Sequence, residues 1–152
     1  MKTVIGVDEV GRGPLAGPVV VSAFRLRTKS TFAKKTKILD SKKLSEKERE
    51  EYYSKILEER SKGNVDFATA SVGAKVIDRE NISRSLRYGI KKALKKINAL
   101  EEEKILLDGS LYAPKKFIDQ ETIIKGDEKE KVIALSSIVA KVERDRKMIR
   151  LV

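Results

Sequence analysis

The chain has 152 residues, near the usual size of one domain and enough to bury roughly 68–70 % of its unfolded surface around a single core. Lys and Arg outnumber Asp and Glu by 34 to 23, a formal charge of +11, which points to a polyanionic partner such as nucleic acid or an acidic membrane surface. With neither Cys nor His, disulfides, thiol chemistry, Cys/His zinc sites and imidazole-dependent triads are excluded, so chemistry must run on carboxylates, Lys, Ser or Tyr.

Any bound metal would have oxygen ligands, which favours Mg²⁺ or Mn²⁺ over zinc or copper. The apolar stretch after Lys2 is interrupted by Asp8 and Glu9, and no run approaches the length of a membrane span. The sequence therefore predicts a soluble, cytoplasmic protein without a signal peptide.

Residues 3–9 and 18–24 read as strands joined by a Gly/Pro-rich turn, and 66–72 (Asp-Phe-Ala-Thr-Ala-Ser-Val) alternates like a third, which suggests a meander. Residues 25–47 hold nine Lys or Arg against Asp40 and Glu46 only. This segment reads as a solvated loop or as a phosphate-contacting surface. Ser45 followed by Glu48 predicts a capping box, after which Tyr52, Tyr53, Ile56 and Leu57 recur at helical spacing up to Gly63.

From about 76 to 99 the same period predicts one long helix, with Ile82, Leu86, Ile90, Leu94 and Ile97 on one stripe and Lys91, Lys92, Lys95 and Lys96 on the other face. Asn81 at its start is a candidate cap or a candidate ligand. Lys104–Asp108 and Glu121–Ile124 read as short buried strands, and 130–149 returns to helix with small Ala134, Ser136, Ser137 and Ala140 allowing close packing. The order predicts one α/β domain over 1–152, a mixed sheet with helices against it.

Asp8, Asp108 and Asp127 each fall at or just beyond the C-terminal end of an apolar strand, where open α/β sheets place their sites. Asp8 and Asp108 meet if their strands are parallel neighbours. With Glu9 they supply four carboxylates, the donor set that two-metal phosphodiester hydrolysis uses to hold two cations about 4 Å apart. Two such charges at about 4 Å repel by roughly 4 kcal/mol at an effective dielectric near 20, so something positive should share the site.

Strand alternation puts Asp8 and Glu9 on opposite faces, so both reach one site only where the strand frays or if one uses its carbonyl. Taken singly, an Asp after a strand is equally a turn former or helix cap. Gly11-Arg12-Gly13 with Gly17 falls as GxGxxxG and leads into a strand. A dinucleotide loop needs a helix there, so a turn that lets backbone approach a nucleic-acid sugar fits better. Ser41, Lys42, Lys43 and Lys125 offer hydroxyl and ammonium groups to phosphates. Ser137 and Lys141 lie one turn apart on the last helix and could face the same backbone, although Lys141 could equally pair with Asp145.

Together these residues resemble the ribonuclease HII family, across nearly the whole chain. The matching blocks, in order, are Gly6–Pro18, Leu39-Asp40-Ser41-Lys42-Lys43-Leu44-Ser45, Ile77-Asp78 through Asn81-Ile82, Leu107-Asp108-Gly109, Lys125-Gly126-Asp127, and Ser136 through Asp145. The resemblance implies an RNase H-like fold with a five-stranded mixed sheet flanked by helices. It implies that Asp8, Glu9, Asp108 and Asp127 are the catalytic and metal-binding acids, and that Gly11-Arg12-Gly13 senses the 2′-hydroxyl at an RNA-to-DNA junction.

It further implies Mg²⁺ or Mn²⁺ dependence. The implied substrates are RNA/DNA hybrid and duplex DNA containing ribonucleotides, cut to leave 5′-phosphate and 3′-hydroxyl ends by a monomer with no membrane attachment. Nucleic-acid contacts are expected from Gly11, Arg12, Gly13, Ser41, Lys42, Lys43, Asn81, Lys125, Ser137 and Lys141. Family members continue into further helices bearing a junction-stacking tyrosine, whereas this sequence ends at Val152. The alternative expectation is therefore a catalytically impaired hybrid-binding module; a third is a branched-DNA nuclease of the same fold.

Overall fold

A computed structural model describes residues 2–11, 17–37 and 41–150. Strands β1 (Thr3–Val10), β2 (Val19–Arg27) and β3 (Val65–Val72) form the antiparallel meander that the sequence suggests. Strands β4 (Lys104–Asp108) and β5 (Gln120–Ile123) add in parallel on the other side of β1, giving a five-stranded mixed sheet of order β3-β2-β1-β4-β5.

Strand alternation divides the core into two layers. Ile5, Val7, Val21, Ala23, Ile105 and Leu107 face one way, against Leu86, Ile90 and Leu94 of helix α4 (Ile82–Lys96). Phe24, Leu26 and Leu106 face the other way, against helices α2 (Glu46–Ser61) and α6 (Lys131–Arg150). The Ser45–Glu48 capping box forms at the start of α2, each side chain bonding the other's backbone N–H. Among the described residues, no helix is long and apolar enough to cross a membrane.

Two expectations are corrected. The basic segment after β2 is not one loop: β2 runs on to Arg27, and a short helix α1 (Thr31–Lys35) is capped by the Ser30 hydroxyl accepting from Ala33 N at 3.1 Å. The long helix divides into α3 (Ala74–Glu80) and α4 at Asn81, whose φ of 70° belongs to neither helix. With ψ at 165° the residue also lies outside the left-handed helical well, and its side chain accepts from Arg84 N at 3.1 Å to restart the helix. The apolar stripe hides the break because Ile77 and Ile82, one on each side of it, pack on the same layer. The last helix forms as expected, and a separate turn of helix before it, α5 (Gly126–Lys129), carries Asp127.

At the sheet end where β1 and β4 begin, Arg25 grips Glu103 through two bonds, Nε to Oε2 at 2.9 Å and Nη2 to Oε1 at 2.6 Å. Burial alone would push the Glu103 carboxyl up, but donation from Arg25, Leu100 N and Thr3 outweighs it and holds Glu103 below the usual range. The middle of β1 depends on Gly6. A Cβ there would lie 2.5 Å from the Val132 carbonyl oxygen and 2.8 Å from Ile133 N, so α6 rests directly on the β1 backbone. Gly6→Ala should therefore lower stability by about 1–3 kcal/mol, the usual cost of overpacking where only backbone can yield. An unchanged midpoint in urea denaturation would contradict this contact.

Candidate functional site

The β1–β4 register pairs Val7 with Leu107, so the next residues, Asp8 and Asp108, stand side by side where β4 ends, both on the α6 face. Glu9 belongs to the other face by alternation. Contrary to expectation, β1 does not fray there, because pairing with β2 continues through Glu9 with Val21 and Val10 with Val20. On the other flank β4 stops at Asp108, and past that end the longer Glu9 side chain can reach its neighbours. One carboxylate oxygen from each of Asp8, Glu9 and Asp108 lies within 4.8 Å of the others.

Asp127 is the fourth acid but stands outside this tight group. It enters from α5, where its backbone N donates to Asp108 Oδ1 at 3.3 Å. Gly126 permits the approach, since a Cβ there would lie 2.6 Å from Ile133 Cδ1 and 3.2 Å from Asp108 Oδ1.

Both Asp8 and Asp127 are only 4 % exposed. Burial, then the charges of Glu9 and Asp108, push the Asp8 carboxyl well above its ordinary range; hydrogen bonds from Glu9 N, at 2.8 Å, and from Ser137 pull it partly back. Burial and the Asp108 charge likewise raise Asp127, opposed by the positive charges of Lys42 and Lys141. Burial pushes the Lys141 ammonium down, while Asp8 and Asp127 partly restore it and Arg49 and Lys42 work against it.

The result is an acid cluster with an excess of negative charge on the sheet side and a basic rim from α6 and the Ser41–Lys43 turn. Its donors are all oxygen, the set that suits Mg²⁺ or Mn²⁺. A buried carboxylate held beside two others is a group that a divalent cation would relieve. The residues present therefore fit such an ion, with Asp8, Glu9 and Asp108 positioned to hold it and Asp127 beside them.

The other expected contacts are placed unevenly. Ser137 and Lys141 are brought to Asp8 as the one-turn spacing suggests, and Asp145 pairs instead with Arg49 at 3.7 Å. Lys42 and Lys43 are exposed on the single 3₁₀ turn Ser41–Lys43, where Lys42 is near enough to act on Asp127. Lys125 is exposed at the start of α5, with φ at 54°. Asn81 serves as the cap of α4, and among the described residues no contact joins it to the acids.

Gly11 has φ 99°, and a Cβ there would lie 2.5 Å from Arg144 Nε. Arg12, Gly13 and the Ser41 side chain lie outside the described residues. Sequence reasoning missed Arg144, which donates to the Pro18 carbonyl at 3.0 Å and fastens the glycine turn to α6. It also missed Arg49, whose charge bears on Lys141. Both are long-range relations that no local pattern announces.

The raised Asp8 pKa carries a sign. A carboxyl whose folded pKa exceeds its unfolded value near 3.8 costs the folded state nothing below that pH and weakens it as pH rises through the folded pKa. In EDTA, Asp8→Asn should therefore unfold at a higher temperature than wild type at pH 7, by a few degrees for about 1 kcal/mol. The difference should shrink toward zero as pH approaches 4. A variant less stable than wild type at pH 7 would refute the repulsion.

A sequence model of the ribonuclease HII family matches residues 5–152. A curated ribonuclease HII from Fusobacterium nucleatum is 44 % identical over 150 residues, covering 97 % of this chain and 66 % of the relative. The ribonuclease H2 structure from Pyrococcus horikoshii superposes with a TM-score of 0.71 at 29 % identity, over 98 % of this chain and 75 % of that one. Bst-RNase HIII in complex with Mn²⁺ gives a TM-score of 0.76 at 22 % identity over 99 % of this chain and 54 % of that one, a likeness of fold. The chain spans about half to two thirds of the length of the curated relatives it matches. By sequence match and by its RNase H-like sheet, the chain belongs to the ribonuclease HII family.

Proposed function

We propose that this chain is a divalent-metal-dependent endoribonuclease that hydrolyses the RNA strand of RNA/DNA hybrids and ribonucleotides embedded in duplex DNA, leaving 5′-phosphate and 3′-hydroxyl ends. The observation that carries the reading is the convergence of Asp8, Glu9 and Asp108 within 4.8 Å around a buried carboxylate. Family membership and the Mn²⁺ complex of a structural neighbour support it.

In this reading Asp8, Glu9 and Asp108 would hold the metal, with Asp127 beside them. Bound Mg²⁺ or Mn²⁺ supplies a lowered pKa for the attacking water and charge stabilisation at the leaving oxygen. Ser137, hydrogen-bonded to Asp8, fixes that carboxylate's orientation. Lys141 and Lys42 hold positive potential beside the acids, where a scissile phosphate has to sit. The turn that Gly11 opens, with a positive φ, is the segment that in this reading would meet a ribose and use its 2′-hydroxyl; Arg144 and the Pro18 carbonyl occupy the space beside Gly11 that a Cβ would take. The working unit is taken to be one copy of the chain.

End-labelled duplex DNA holding one ribonucleotide, and a full RNA/DNA hybrid, should both be cut in Mg²⁺ or Mn²⁺ and neither in EDTA. Asp8→Asn and Asp127→Asn should each lose on the order of 10²-fold or more in rate while still binding hybrid. Full activity in either variant would sink the assignment. Salt-sensitive binding without any cleavage by wild type would instead favour the hybrid-binding module.

A further inference from the structure

The solvent face of α4 has no part in the acid site, yet it is strongly one-signed. Over Ile82–Lys96 it carries six Lys or Arg and no Asp or Glu. Of these, Arg84 pairs with Glu80 at 3.6 Å and Lys96 donates to the Thr69 carbonyl at 2.9 Å. Among the described residues, no ion pair joins Arg87, Lys91, Lys92 or Lys95 to a carboxylate.

The segment 109–119, which leads from the end of β4 back to the start of β5, runs alongside α4 in the same direction. Two recesses lie end to end along this seam. The first, about 240 Å³, lies between Arg87 of α4 and Tyr112. The second, about 360 Å³, lies between Lys91 and Lys95 on one side and Lys116 on the other. Neither is lined by an acidic residue. Tyr112 is 64 % exposed beside the first recess, and Tyr88, 56 % exposed on the same helix face, has Lys92 Nζ 5.9 Å from its ring centre. The seam opens at Ser110, two residues after Asp108, and ends at Asn98.

A narrow, unbroken line of cations with exposed aromatic rings is the arrangement that tracks a single nucleic-acid strand, with ammonium and guanidinium groups on the phosphates and tyrosines under the bases. A duplex is too wide for recesses of this size. We infer that the α4 seam is a second nucleic-acid site, which takes a single-stranded segment running away from the acid cluster along the flank of the sheet. Its positive charge suits a phosphodiester chain, and its tyrosines add what a bare electrostatic surface lacks. Binding there requires no metal and no hydrolysis, so it stands or falls independently of the proposed cleavage.

The test is fluorescence anisotropy in EDTA with three labelled probes: a thymidine 12-mer, a blunt RNA/DNA hybrid, and the same hybrid with an eight-nucleotide single-stranded tail. Wild type should bind the 12-mer measurably and the tailed hybrid several-fold more tightly than the blunt one. The triple variant Lys91→Gln/Lys95→Gln/Lys116→Gln should abolish the tail's advantage and leave blunt-hybrid affinity unchanged. Its salt slope for the 12-mer should fall by about 2, as loss of three phosphate contacts on a single strand requires. Tyr112→Leu, which keeps the charge, should weaken the 12-mer several-fold.

A tail that adds nothing in wild type would overturn the inference. So would a triple variant that keeps the tail's advantage, or one that weakens blunt and tailed hybrids equally. Displacement of the 12-mer by anionic vesicles at lower concentration than by unlabelled oligonucleotide would assign the face to a membrane surface instead.

Discussion

The mutual repulsion of three carboxylates at the end of two parallel strands is the constraint around which this structure is arranged. Asp8 is buried beside Glu9 and Asp108; the Glu9 amide and Ser137 donate to it without full charge, and Lys141, its own ammonium pushed down by burial, adds positive charge from the rim. Such donors only partly offset desolvation. The site is therefore unfavourable to the fold by itself, a repulsion that a divalent cation would relieve. The positive groups nearby, Lys42 and Lys141, are held at the rim, where their charge acts on Asp127 as well.

Backbone contact is what brings that rim into place. Because Gly6 has no side chain, α6 lies against β1 and presents Ser137, then Lys141 one turn later, to Asp8. Ser136 on the same helix donates to the Ser22 carbonyl at 2.9 Å, which fixes the helix's rotation over β2. Arg144, two turns on from Ser137, donates to the Pro18 carbonyl and so ties the glycine turn to the same helix. One helix thereby sets the position of Asp8's hydroxyl partner and the site's lysine, and contacts Gly11, Gly17 and Pro18 at the two ends of the glycine turn. Gly126 does the equivalent for Asp127, allowing α5 to close on Asp108.

Much of this was legible in the sequence, and for identifiable reasons. The meander was legible from two apolar runs around a Gly/Pro turn and the alternation of 66–72, whereas the Asp8–Asp108 meeting was legible only on condition that their two strands are parallel neighbours, as they are. The capping box at Ser45 and Glu48 is a local signal and formed as read. The break at Asn81 was not visible, since the apolar stripe continues in phase across it and only the backbone angle reveals it. The convergence of Glu9 depends on where β4 ends relative to β1, a register that no local pattern contains. Arg49 and Arg144 act across long sequence separations, and a lone Arg on a charged helix gives no sign of its partner.

The most direct measurement is isothermal titration of Mn²⁺ into the protein without nucleic acid, for wild type and Asp108→Asn. If the acids form a metal centre, wild type binds Mn²⁺ saturably, and the variant binds at least about tenfold more weakly for loss of one charged ligand in this set. Proton release should accompany binding, because the raised Asp8 carboxyl must give up its proton fraction to become a ligand. Equal affinity in both proteins, or no saturable binding by wild type at millimolar Mn²⁺, would contradict a metal centre built from Asp8, Glu9 and Asp108.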